Sequence, residues 1–147
     1  MDTNLILISI QIITLTITII YVILINKTIK NSLKTNQNLL FNEIIKQERD
    51  LKIKLLEYRD IINNTKITEQ KRKETKLDYD TLLFNYYEFL SICINKKLVN
   101  ENETKLFFKI PLISVKELFE KSLLFEKDYA KKEQYKVTQW LFKKWQI

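Results

Sequence analysis

Glycine and histidine are missing from the 147 residues, and Cys93, Pro111 and Ala130 are each alone of their kind. Every absence removes a class of chemistry. Without glycine there is no phosphate-cradling loop and no dinucleotide fingerprint, since both need backbone free of a Cβ. The tight primed turns of β-hairpins also lose their best residue, which argues against a hairpin-rich β fold. Without histidine there is no imidazole to act as a base near neutral pH and none to bind a metal. One cysteine makes neither an intrachain disulfide nor a thiolate cluster. Cys93 lies in the apolar run Leu90-Ser91-Ile92-Cys93-Ile94, where a buried small hydrophobe is expected rather than a nucleophile. No catalytic, cofactor-binding or metal-binding residue is therefore assigned, and the chain is not expected to be an enzyme.

What is present is organised by charge. From Leu5 to Ile25 the sequence reads LILISIQIITLTITIIYVILI, twenty-one residues without a charge. The alternation within ITLTITII has the period of a strand. A strand of twenty-one residues is far outside the usual range, whereas a helix of that length spans about 30 Å, the thickness of a bilayer core. The reading is a transmembrane helix, uncleaved, because no basic stretch precedes it and no small-residue cleavage site follows. All 25 Lys and Arg lie beyond residue 26 against 17 acidic residues, a net of +8 there. Lys27, Lys30 and Lys34 follow the span directly and set the topology, with the N-terminus outside and the C-terminal part cytoplasmic. The expected location is the cell membrane, single-pass, with membrane lipid as a partner. On a helix, Gln11, Thr14 and Thr18 share one stripe, a candidate surface for association between transmembrane helices. Each threonine can equally bond back to its own i−4 carbonyl.

Residues 26–62 contain neither glycine nor proline, so the helix is expected to continue as an amphipathic stalk. Ile29, Leu33, Leu40, Ile44, Leu51, Leu55, Tyr58 and Ile62, with polar Asn36 and Gln47 between them, recur at 4-3-4 spacing. That eleven-residue repeat keeps one stripe nearly straight along a helix. Packing within one chain is favoured over packing on another copy. Residues 63–76 carry five basic and two acidic side chains and read as a charged linker. Its Lys71-Arg72-Lys73 run is read as a solvated turn, and no basic–aromatic interleaving points to nucleic acid.

Residues 77–147 read as a helical head. Asp78 or Asp80 is the expected cap of a helix carrying Leu82, Leu83, Tyr86, Tyr87, Leu90, Cys93 and Ile94. Asn100 and Glu103 have capping-box spacing and predict a short helix ending before Pro111. Ser114 and Glu117 predict another, through about Lys127, and Asp128 the last. Glu88, between Tyr87 and Phe89, is read as an exposed residue without a catalytic partner. The fold class is all-α: a transmembrane helix over 5–25 after a short external N-terminus, 1–4, then the stalk, then a small cytoplasmic helical bundle packing with it.

This order resembles the domain of unknown function 4760 family of short membrane-anchored prokaryotic proteins. The residues that carry the likeness are the basic stretch from Asn26 to Leu33 and the helix containing Asn42-Glu43-Ile44-Ile45-Lys46-Gln47-Glu48-Arg49-Asp50. Tyr87-Glu88-Phe89-Leu90-Ser91-Ile92 and Leu98-Val99-Asn100-Glu101-Asn102 complete it. This chain has Lys96 and Lys97 where relatives often place glycine. The resemblance implies an architecture and transfers no catalytic residue.

Three functions compete. The first is a single-pass membrane-anchored helical interaction module, non-catalytic, whose partner is a second copy or another protein. The alternative is a membrane-active effector, a toxin or defence protein of a mobile element, acting through the span. A membrane-tethered nucleic-acid binder comes after these, motivated only by the basic body.

Overall fold

The structure is a computed structural model that describes residues 3–126 and 128–147, with side chains described for residue 12 and from 14 onward, residue 127 excepted. Helix α1 runs Thr3–Asn63, α2 Glu69–Asn95, α3 Glu101–Glu120 and α4 Leu123–Glu126. A 3₁₀ turn, Lys132–Tyr135, then leads into α5, Lys136–Trp145. The fold is all-α, with no strand among the described residues. It divides into two units, Met1–Gln37 and Asn38–Ile147.

The first unit corrects the expected location. Among the described residues no helix is long and apolar enough to cross a membrane, so the single-pass, N-outside placement and the transmembrane assignment of 5–25 are not upheld. The uncharged residues with described side chains, Thr14 to Ile25, rise about 18 Å, against about 30 Å for a bilayer core. Three of them are threonines. The rest of the expected span, Leu5–Gln11 and Ile13, lies outside the residues whose side chains are described.

In the second unit the stalk stripe is buried within its own chain. Ile44 and Leu51 of the stripe join the hydrophobic core, as does Phe41, which the stripe did not include, and Leu40 and Leu55 pack at its edge. Tyr86 Oη donates to the Ile44 carbonyl at 3.0 Å, tying α1 to α2 where both are buried. Burial, with Tyr87 and Glu48 nearby, pushes the Tyr86 phenol far above its ordinary range, so it remains a donor. Exposed Lys52 pairs with Glu48, itself largely buried, at i,i+4 spacing and 2.8 Å.

The expected linker is mostly helix. Thr68 caps α2 by accepting from Lys71 N at 3.3 Å, so residues 69–76 are its opening turns and only 64–68 connect. Neither Asp78 nor Asp80 is a cap. Asp80 lies inside α2, fully buried, where Ser122 Oγ donates to it at 2.6 Å and Lys76 pairs with it. Of the apolar face read from the sequence, Leu83, Tyr86, Tyr87, Leu90, Cys93 and Ile94 are buried and Leu82 is half-buried, while Phe84, outside that reading, is buried too. Burial also pushes the Cys93 thiol up, as suits a packed hydrophobe.

Helix α3 begins where expected, with Asn100 Oδ1 accepting from Asn102 N at 3.0 Å and Glu103 N at 3.3 Å. It does not stop at Pro111. One helix continues to Glu120 with the proline inside, and Ser114 opens nothing. An interior proline costs about 3 kcal/mol. Burial of Phe108, Leu112, Val115 and Phe119 on both sides of it outweighs that cost, at about 1.5–3 kcal/mol for each fully buried side chain. With no glycine available, the left-handed turns fall to other residues: Lys97 after α2, Asp128, and Gln146 after α5. At Lys97 the turn is closed by Leu98 N donating to the Cys93 carbonyl at 2.9 Å.

The core is centred on aromatic rings. Phe84 of α2 meets Phe119 edge-on at 5.1 Å, stacks on Phe125 at 5.8 Å and touches Tyr135 at 5.9 Å. Leu141, Phe142 and Trp145 of α5 close the far side, all buried.

Candidate functional site

The residues singled out for association lie on the first unit. The side chain of Gln11 is outside the described residues. Thr14 and Thr18 are exposed, and Thr18 Oγ1 donates to the Thr14 carbonyl at 2.9 Å. Thr16 and Thr28 make the same i−4 bond, to Ile12 at 2.8 Å and Leu24 at 3.0 Å. These hydroxyls are turned along their own helix, which hides their polarity and leaves methyl groups outward. Lys27, Lys30 and Lys34 stand exposed further along α1. The surface is dominated by aliphatics: Leu15, Ile17, Ile19, Ile20, Val22 and Ile23 are each at least half exposed. Contiguous apolar surface of this extent is the usual mark of an interaction site.

Three polar clusters among the described residues of the second unit each have a structural partner set. Glu88 is half-buried, not exposed as expected, and reaches α5 from fifty residues earlier. Its carboxylate accepts from Thr138 N at 2.8 Å, Thr138 Oγ1 at 2.7 Å and Val137 N at 3.2 Å. α5 has no cap of its own, since Tyr135 makes no side-chain cap bond, so Glu88 supplies one and sets a negative charge at the positive helix end. Asp128, the expected cap, sits in a left-handed turn well before α5 begins.

The second cluster is Asp80 with Ser122 and Lys76; Ser122 Oγ also accepts from Leu124 N at 3.3 Å and so holds the start of α4. In the third, Glu101 pairs with Lys144 and accepts from Trp145 Nε1 at 3.1 Å, joining the start of α3 to the end of α5. The Lys144 hydrogen bond, against some burial, and then the Trp145 N–H hold the Glu101 carboxyl below its ordinary value of 4.5. Its contribution to stability is therefore complete above that value and is lost as the pH falls through the lower folded-state pKa. With side chains 40% and 35% exposed, the pair is worth about 0.2–1 kcal/mol. Urea unfolding between pH 6 and pH 3 should show Glu101→Gln losing less stability on acidification than the parent chain. Parallel profiles would show that the pair contributes nothing.

The second unit also carries concavities, two of them on α2. One, about 380 Å³, lies between α1 and α2, with Gln47, Asp50 and Lys54 around Leu82, Tyr86 and Phe89. The other, about 530 Å³, lies at the start of α2, where Arg72, Lys73 and Lys76 surround Ile62 and Leu123. There Arg72 Nη2 donates to the Asn64 carbonyl at 3.4 Å, while its buried Nε has no hydrogen-bond partner. Each also mixes carboxylate and ammonium groups, Asp50 with Lys54 in the first and Glu69 with Lys73 and Lys76 in the second. Among the described residues no group of His, Cys, Asp or Glu could hold a metal ion.

Sequence reading missed all three clusters, because each joins residues more than forty positions apart. The odd placement of Glu88 between two aromatics on an apolar helix was the one available signal. No family model matches the chain, and neither does any curated protein or solved structure.

Proposed function

We propose that the chain is a non-catalytic helical interaction module: a closed bundle, Asn38–Ile147, carrying a helix whose apolar surface engages another protein. The observation that carries this reading is the exposure of large aliphatics along the first unit, from Ile12 at 60% to Leu33 at 58%. The bundle supports it by what its polar groups are doing. Glu88, Asp80 and Glu101 are committed to holding helices together.

Crosslinking of the tagged full chain in the cells that make it, followed by recovery under denaturing conditions, should give discrete bands above the monomer. A variant carrying Ile19→Lys and Ile23→Lys should reduce those bands at least fivefold. Unfolding followed by Trp140 and Trp145 fluorescence should not change, since both substitutions lie outside the bundle. Bands of equal strength in the variant, or none from the parent chain, would overturn the proposal.

A further inference from the structure

The stretch of α1 that best reports its partner is the polar one. Between Asn26 and Asn38 the only large aliphatics are Ile29 and Leu33. Both are exposed, at 51% and 58%, among lysine, asparagine, serine and threonine. They fall on one stripe with Leu15, Ile19 and Val22 before them and Leu40 after. The spacing 15-19-22-26-29-33-36-40 alternates four and three, which is a heptad seam. Ile19, Asn26 and Leu33 occupy a positions, and Leu15, Val22, Ile29 and Asn36 occupy d. Thus the only polar residues on the seam are two asparagines, and Asn26 stands at an a position, where that side chain fixes the register of a two-stranded coil; Asn36 stands at the last d position.

From this seam we infer that the partner is a second copy of the chain, joined as a parallel, in-register two-stranded coiled coil over residues 15–36. This rests on the interaction-module reading and names its partner. Parallel pairing sets every apolar layer on its own counterpart and Asn26 on Asn26, where each amide both donates and accepts. Lys27 and Lys34 fall at outward b positions. Flanking contacts bring Ile25 to Lys30 and Ser32 to Gln37 of the other copy, so no two like charges meet across the seam. The antiparallel alternative that also pairs asparagines, Asn26 on Asn36, sets Leu15 against Gln47 and Ile19 against Glu43. That arrangement wastes the apolar half of the seam.

The test uses the purified full chain with one added cysteine, Asn26→Cys on the seam or Asn31→Cys at an outward f position. The native Cys93 is only 2% exposed and serves as the unreactive background. Mild copper-catalysed oxidation should give a disulfide-linked dimer from N26C at least fivefold more readily than from N31C. Sedimentation equilibrium of the parent chain should show twice the 17.8 kDa monomer mass. A dimer in which the two variants crosslink equally, or in which N26C does not crosslink, overturns the parallel seam and leaves the interaction module standing. A monomer overturns the seam as well; if crosslinking in cells then also yields no partner, the module reading falls with it.

Discussion

Phe84→Ala should lower the unfolding free energy of the bundle by about 3–5 kcal/mol, the range for truncating a fully buried aromatic. Phe84 is 1% exposed and touches rings from three other elements, α3, α4 and the 3₁₀ turn. The substitution therefore opens a cavity at the point where those elements meet, and the lost ring pairs, at about 0.5–1.5 kcal/mol each, are part of that loss. Domains of this size have only about 5–15 kcal/mol in total, so the melting temperature should fall by roughly 15 °C or more. Phe84→Leu keeps part of the volume and should cost clearly less. Thermal and urea unfolding followed by Trp140 and Trp145 fluorescence reads both variants. A loss below about 1 kcal/mol for the alanine variant would show that the ring cluster is not the centre of the core.

Glu88→Ala is expected to come next, at about 2–4 kcal/mol, because it removes three hydrogen bonds at once. Its loss strands two backbone N–H groups at the start of α5 and the hydroxyl of Thr138, a residue 1% exposed. A cap is worth about 1 kcal/mol, and a buried donor left unpaired costs about 1–3 kcal/mol more. Glu88→Gln retains one acceptor oxygen and should recover about half of the loss. Hydrogen exchange locates the effect: amides of α5 should exchange faster than those of α2 when Glu88 is alanine. Uniform acceleration through the bundle would mean that Glu88 acts as general packing and not as the cap of α5.

Comparing these residues shows what was legible before the structure. Local signals were read correctly. Asn100 caps α3 because its acceptor and the donors it serves are two and three residues apart, and the apolar face of α2 follows from helical periodicity alone. The stripe from Leu40 to Leu55 follows from the same periodicity, although periodicity does not say on which chain it packs. Signals that compete with tertiary packing misled. Pro111 marks a helix end by local chemistry, yet four buried side chains on both sides of it hold the helix together. Asp80 has the chemistry of a cap, but its partners are Lys76 one turn before and Ser122 forty-two positions later. Glu88 depends entirely on α5, which no window along the sequence contains. The apolar run before residue 26 satisfied the length and charge criteria for a span; its described part does not.

The cap that α5 borrows from α2 also bears on timing. A helix of 10 residues is too short to persist alone in water, and this one cannot terminate its own first turn. Synthesis runs from the N-terminus, so α2 has left the ribosome before Val137 and Thr138 appear. The carboxylate is then already waiting when the donors it serves emerge. The order of the two helices along the chain thus puts the cap before the helix it serves.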